Sequence, residues 1–350
     1  MHMEIGLPRG VPRHLHRTRR AGVFIVANVT VERRYGRTPM TLPRRPTQRR
    51  TRIVTLLVAG LVLAAAGYAQ FGGFGFGGGG RGRRGGAGEI QVGNDVKSIR
   101  DVPGRTVEVP MWTNPVGFEK DVFTMARLRF TSYQGAGGHG GWTTDFPDAD
   151  LNLSFRLQQM TSLKVSPDGR IVRLTDPDLG DYPFLFTAAP NSLGLNAAEV
   201  VALRKYLQNG GCMIFTDFWG DQELANMQYT FHEVLPNLKF IDLPLDHPLY
   251  RAVFPIEDKG QVPQSVRGIA LEFNPSGVTY ETNGHTGDTK TVHHWAMFDE
   301  KGRLLVLAIH NSDHSDGWER EGESDYYFHR FSEKIAYPLA INALVYMMTH

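Results

Sequence analysis

Two stretches of this 350-residue chain hold side chains of the kinds that bind metals or move protons. One is His310-Asn-Ser-Asp-His-Ser-Asp-Gly-Trp-Glu319, the other Asp217-Phe-Trp-Gly220; Asp246-His247 is a smaller third. His310, Asp313, His314 and Asp316, joined by Asp217, offer mixed imidazole and carboxylate ligands that suit zinc or manganese. No His-Glu-x-x-His pair is present, so the spacing names neither a metal nor any other cofactor. Asp217 with Asp316 or Glu319 could serve instead as the acid and base of a hydrolase, with Trp219 and Trp318 as stacking walls. Ser312 or Ser315 could complete a Ser-His-Asp set, but the Gly-x-Ser-x-Gly elbow that exposes such a serine is missing. Each residue also has a purely structural reading. Polar loops at strand ends satisfy backbone groups and cap helices, Trp318 can be core, and Asp246 ahead of His247-Pro248 suits a turn.

What must position these residues is the segment 182–220. It opens with an apolar run, 183–189, too short for a helix and rich in aromatics, which predicts a buried strand. Asn196 and Glu199 have the spacing of a capping box. Val200, Leu203 and Leu207 recur at helical spacing, and Gly210-Gly211 stops the helix. A second apolar run, Cys212-Met-Ile-Phe215, ends in Thr216-Asp217. The unit is βαβ, and ligand crevices in such sheets lie beyond the carboxyl ends of the strands. Asp217 and Trp219 fall there. A later apolar run, 304–309, predicts a central strand that runs out into the 310–319 loop, the second half of a hairpin with 292–298. If the strands are parallel in one sheet, both polar loops share one edge. The loop with Trp142 and Asp145, after a first strand near 125–131, would join them, and Asp246-His247 could come near.

The rest is read more briefly. In that first strand Ala126, Leu128 and Phe130 alternate with Arg127 and Arg129, the pattern of a half-buried strand. The glycine-rich stretch 135–141 lacks the Lys-Ser/Thr of a phosphate cradle and reads as a loop. Asp148 or Asp150 is expected to cap a helix running to about residue 162, and Asp221 another after Gly220. Residues 89–120 should wrap the domain in extended form, and 255–290 should be an irregular excursion or hairpin. Pro338 should kink or begin a terminal helix over 332–348.

Charge divides the chain. Residues 1–88 carry 16 Arg, no Lys and two Glu, a net of +14, and the remaining 262 carry a net of −12. So acidic a body excludes nucleic acid as the expected partner, since phosphate neutralisation supplies most of that affinity. Arg49-Arg50-Thr51-Arg52, the apolar run 53–66 and Gly67-Tyr68-Ala69 predict a secretory signal cut after Ala69, with Met40 a possible true start. A membrane association is expected only if that segment stays uncleaved. The organisation is thus an extension and signal over 1–69, a Gly/Arg-rich linker over 70–88 and one α/β domain over 89–350, exported to the periplasm or cell surface. The lone Cys212 excludes an intrachain disulfide and reads as a buried hydrophobe.

Asp150-Leu-Asn-Leu-Ser-Phe-Arg-Leu-Gln-Gln159, Leu203-Arg-Lys-Tyr-Leu207 with Gly210-Gly211, Asp217-Phe-Trp-Gly220, Leu245-Asp-His-Pro248, Asp316-Gly-Trp-Glu319 and Tyr337-Pro338 with Asn342 together resemble the bacterial family called domain of unknown function 4159, over about residues 120–350. The resemblance implies a flavodoxin-like doubly wound, mostly parallel sheet similar to class I glutamine amidotransferases, and members that are often exported. It implies no established activity. The family often has paired acids where this chain has Thr216-Asp217, and the amidotransferases place a nucleophilic cysteine at a strand–helix elbow, which here falls near Trp219 and Gly220. Glutamine hydrolysis through a cysteine is therefore not expected. The expected function is a non-catalytic module whose pocket of Asp217, Trp219, His310, Asp316, Trp318 and Glu319 holds a small polar ligand or a protein partner. The alternative is a hydrolase, with or without a metal, built on the same residues.

Overall fold

The computed structural model of the chain describes residues 90–117, 121–132 and 141–350. The signal segment and the Gly/Arg-rich linker lie outside the described residues. The segment 182–220 folds as its pattern predicts. Strand β4 (Phe184–Ala188) is buried throughout, helix α2 (Ala197–Gln208) follows, and strand β6 (Cys212–Thr216) runs parallel to β4. The Asn196 side chain accepts from the amides of Ala198 and Glu199 while the Glu199 carboxylate accepts from the Asn196 amide, so both orphan ends of the first turn are satisfied. Gly210 ends the helix in the left-handed region at φ 111°, where a side chain would be strained.

Around this unit the chain builds a seven-stranded sheet. Its other strands are β1 (Ala126–Leu128), β3 (Arg170–Val172), β7 (Ile241–Asp242), β8 (His293–Phe298) and β9 (Leu304–His310), in the order β3-β1-β4-β6-β9-β8-β7. The first five in that order are parallel, β8 runs antiparallel to β9, and edge strand β7 runs antiparallel to β8. A two-residue pairing of β2 (Thr131–Ser132) with β5 (Leu193–Gly194) stands apart. Helix α1 (Asp148–Met160) connects β1 to β3 in one direction along the sheet. Helices α2 and α3 (Gly220–Val234) lead in the other. Because crossovers are right-handed, the reversal puts α1 on one face and α2 and α3 on the opposite one. The packing agrees: α1 contacts α5 (His314–Glu319) and α7 (Tyr337–Thr349), whereas α2 contacts α3. Every residue of β9 is buried, as a strand covered on both faces requires.

Several local expectations are corrected. Arg127 does not point to solvent: with β1 central, both faces are covered, and its guanidinium is fully buried against Asp150 at 2.5 Å. Neither Asp148 nor Asp150 caps α1, whose N-cap is Pro147. Asp148 instead accepts from the amides of Arg105 and Thr106, tying down the N-terminal segment, which runs extended as expected and also pairs Lys97 O with the Ile171 amide beside β3. Asp221 does not cap α3. The N-cap is Trp219, and the Glu223 carboxylate accepts its amide. The excursion over 255–290 carries a short helix, α4 (Ser265–Ala270), rather than a hairpin. The C-terminal stretch passes from α6 (Asp325–Tyr327) through a π-helical turn (Phe328–Ala336) into α7, where Pro338 occupies the first turn and its missing N–H costs nothing. No described helix is long and apolar enough to cross a membrane.

Cys212 lies at the start of β6 with its thiol bonded to Pro183 O, and burial pushes the thiol up to about 12. A charged disulfide reagent at pH 8 is expected to find no reactive thiol in the native protein and one after denaturation. Prompt reaction of the native protein would contradict this placement.

Candidate functional site

Strands β4, β6 and β9 are neighbours, and each is directly followed by a non-glycine residue held at positive φ, Ala189 (50°), Asp217 (56°) and Asn311 (59°); Asp145 (57°), in the loop just ahead of α1, is a fourth. They are the only such residues among those described. Left-handed backbone costs a non-glycine residue on the order of 1–3 kcal/mol and persists only where the surroundings enforce it. The strained elbow of β6 is therefore Asp217 itself, two residues before the position expected from the sequence. Its surroundings are visible. Asn311 accepts the Gly220 amide at 2.8 Å and donates to Thr291 O and Asp288 O. His310 bonds Gly220 O through Nε2 at 2.9 Å, and Trp219 Nε1 donates to Asp217 Oδ1 at 3.2 Å. The β9 end thus clamps the turn that carries Asp217.

Five acids gather at this edge. Asp145, Asp217 and Asp313 each bring a carboxylate oxygen within 4.8 Å of the other two, and Asp145, Asp316 and Glu319 do the same. Asp145 belongs to both sets. Asp313 is also the N-cap of α5, accepting from the Asp316 amide at 2.9 Å and from Ser315 Oγ at 3.2 Å; Ser315 in turn bonds Thr216 Oγ1. Asp316 accepts the Ser265 amide. Among the described residues, the one cation paired within the group is Arg320, 2.6 Å from Glu319 and 3.7 Å from Asp316. Among the described residues, no ion pair reaches Asp145, Asp217 or Asp313. Asp145 Oδ2 and both Glu319 oxygens are buried without a hydrogen bond.

Burial and mutual repulsion raise Asp145, Asp217, Asp313 and Glu319 together. Burial first, then the charges of Asp316 and Asp217, hold Asp145 well above the carboxylate range. Burial, then Asp316 and Glu223, push Asp217 to about 7. Asp313 is raised by burial and by Asp217, Asp316 and Asp145. Glu319 rises to about 9 through burial and then Asp145 and Asp316. Such a group can share protons or take up a cation, which removes the repulsion at once.

The expected residues divide. Asp217, Asp316 and Glu319 come together, with Asp313, and Trp219 lies over Asp217. His310 is not among them: Trp295 Nε1 donates to its Nδ1 and its Nε2 is bonded to Gly220 O, so both nitrogens are used in holding the scaffold, and burial drops it to about 4. His314 turns away, bonded through Nδ1 to Ser312 Oγ. Trp318 is core, fully buried and edge-on to Phe186, and forms no pocket wall. Asp246 and His247 are at the other end of the sheet, where His247 caps a turn and packs on Phe298, whose partner Leu304 begins β9. Neither the mixed histidine–carboxylate metal set nor a Ser312- or Ser315-based triad is assembled. Asp145 enters through the loop that was expected to join the edge, but its central place was not foreseen. Asn311 was missed, although an asparagine directly after an apolar strand is a signal for left-handed backbone.

The family model described as Domain of unknown function (DUF4159) matches residues 124–348, which span every element carrying these acids. No curated protein matches the chain.

Proposed function

The chain belongs to the DUF4159 family, and we propose that it is an exported binding protein whose strand-end carboxylates hold a hard divalent cation and, through it, a small polar ligand. One observation carries this reading: the two carboxylate triads that share Asp145. Oxygen-only ligands favour magnesium, calcium or manganese over zinc, which replaces the mixed-ligand expectation. The parallel strands run in chain order second, first, third, fourth, fifth, the order of flavodoxin-like sheets, with the switch point between β1 and β4. Asp145 comes from the connection after β1 and the other four acids from the ends of β6 and β9, at the carboxyl edge where ligands of doubly wound sheets bind, which supports that reading as well. Export rests on residues 40–69 of the sequence.

A hydrolase is the second reading, favoured by the elevation of Asp217 to about 7 on a strained elbow, a value suited to passing protons near neutrality. The cation would then polarise a substrate or its water.

The test is calorimetric titration of the chelator-treated protein with magnesium, calcium, manganese and zinc at pH 7.5. Saturable binding of a hard cation at about one or two ions per chain, accompanied by proton release, is expected. Absence of binding by all four at millimolar concentration would refute the cation site. Metal-dependent cleavage of chromogenic phosphate or acyl esters, lost in Asp217→Asn, would decide for the hydrolase.

A further inference from the structure

Arg129 and Arg173 hold the next positions of the β1/β3 pairing. The register runs Arg127 with Ile171 and Leu128 with Val172, and the Arg129 amide continues it by donating to Val172 O at 2.8 Å. The two arginines therefore stand side by side just past the carboxyl ends of their strands, on one face, where like charges repel. Nη2 of both donates to a single oxygen, Asn94 Oδ1, at 2.8 Å each. Burial first, then the Arg173 charge, hold Arg129 below the usual arginine range. No acid offsets the pair. Among the described residues neither guanidinium enters an ion pair, whereas Arg127, Arg156, Arg170, Arg267, Arg303 and Arg320 all do. Asp176 accepts the Arg173 amide but pairs its charge with Lys97, and Asp95, next to Asn94, is exposed and bonded to neither arginine. In a body of net charge −12, two adjacent arginines without an acid need an explanation.

Hydrogen-bond accounting shows what the pair offers. The Arg129 guanidinium lies 4.9 Å from the Trp142 ring centre and donates to Gly93 O at 2.8 Å and Val92 O at 3.0 Å, so its plane is fixed. Arg129 Nε and Arg173 Nε and Nη1 have no partner among the described residues, and unlike Arg170 Nε none of the three is buried. Anchoring residues 92–94 accounts for Arg129 but not for Arg173, whose one side-chain bond is to an exposed asparagine. Asn94 Oδ1 supplies the junction of the two forks with an oxygen but no charge. Open N–H donors on two adjacent cations match an acceptor-only group of charge −2. A phosphate can accept a forked pair from each guanidinium and balance both, whereas a carboxylate has two oxygens and one charge.

We propose that the carboxyl ends of β1 and β3 form a phosphate-binding site whose two cations are Arg129 and Arg173. The proposal does not rest on the cation site and is tested with that site emptied by chelator. The probe is inorganic phosphate on the full chain at pH 7.5, at constant ionic strength against chloride, with acetate in parallel. The readouts are the melting midpoint and the guanidinium Nε–H signals of arginine-labelled protein, that of Arg129 being identified by its loss in Arg129→Lys. Phosphate is expected to raise the midpoint and shift the Arg129 signal saturably, and acetate to do so at least about tenfold more weakly. Arg173→Gln keeps an N–H donor for Asn94 and removes one charge. It should weaken phosphate binding about tenfold, yet leave the phosphate-free midpoint unchanged or higher, because it relieves the repulsion. Asn94→Ala, which frees an N–H on each fork, should tighten binding. A midpoint rise as large in Arg173→Gln as in the wild type is solvent exclusion or binding by arginines elsewhere in the chain, and overturns the proposal. A lowered phosphate-free midpoint in Arg173→Gln, with an Arg129 signal that phosphate leaves unmoved, overturns it as well and makes the pair an anchor for residues 92–94. Equal responses to acetate and phosphate would refute the choice of a phosphate group.

Discussion

Asp217→Asn is expected to make the metal-free protein more stable at pH 8 and to abolish most of its stabilisation by a divalent cation. Asparagine is nearly isosteric with aspartate and tolerates left-handed backbone, so the elbow at φ 56° is preserved. The Trp219 Nε1 donor keeps an oxygen acceptor. What disappears is one charge in a buried group of acids. Asp217 is raised from the ordinary carboxylate range to about 7, by burial first and then by Asp316 and Glu223. In the window from about 4 to 7 the folded chain holds a proton that the unfolded chain releases, so this group's stability contribution is full at low pH and is lost as pH rises to the folded value. Glu319 extends the window to about 9. The wild-type midpoint without metal should therefore fall from pH 5 to pH 9, and the fall should be shallower in the variant. A saturating cation reverses the trend, since it binds the deprotonated acids. Thermal melts of both proteins across this range, with chelator and with the cation found by calorimetry, measure each part. A variant as metal-responsive as the wild type would remove Asp217 from the site. A variant less stable than the wild type without metal at pH 8 would show that the acid stabilises the fold.

The sequence made the scaffold legible where local and global signals agree. Asn196 and Glu199, Gly210, and the apolar runs of β4, β6 and β9 each have one low-energy interpretation, and each was found. The convergence of Asp217 with the 310–319 loop also followed, because parallel neighbouring strands deliver their ends to one edge. What failed was the assignment of individual side chains within that loop. In a short helix such as α5, successive residues face different directions. Asp313, Asp316 and Glu319, spaced by three, share one face, while His314 goes to another and Trp318 to the core. Chemical type picked out Asp316 and Glu319 together with His310 and Trp318, and only the helical spacing separates the acids from Trp318. Asp246-His247 failed for a longer-range reason. Its position depends on how the chain returns after α3, and nothing local encodes that. Arg127 was misplaced because alternation of apolar and charged residues predicts a solvated face, and a buried ion pair mimics the same pattern.

That buried pair carries the largest expected loss of stability. Arg127 and Asp150 are both fully shielded, and Arg127 Nε and Nη2 engage the carboxylate at 2.5–3.1 Å. The guanidinium also lies 4.3 Å from the Phe186 ring centre and donates to Thr144 O at 3.1 Å, one residue before Asp145. Arg127→Met leaves Asp150 charged, buried and alone, which costs about 3–5 kcal/mol, or roughly 10 °C in melting midpoint for a domain of this size. Adding Asp150→Leu removes the orphaned charge and should recover most of that loss, since a well-packed apolar pair often matches a buried ion pair. Cation affinity separates the two roles of the arginine. If Arg127 also positions Asp145 by holding the carbonyl before it, the double variant regains its midpoint but still binds the cation more weakly than the wild type. If it serves the fold alone, affinity returns with stability. A double variant that stays as unstable as Arg127→Met would assign the loss to the cation–π and carbonyl contacts rather than to the charge pair. The ladder of single and double variants thus ties the core of the sheet to the acids at its edge.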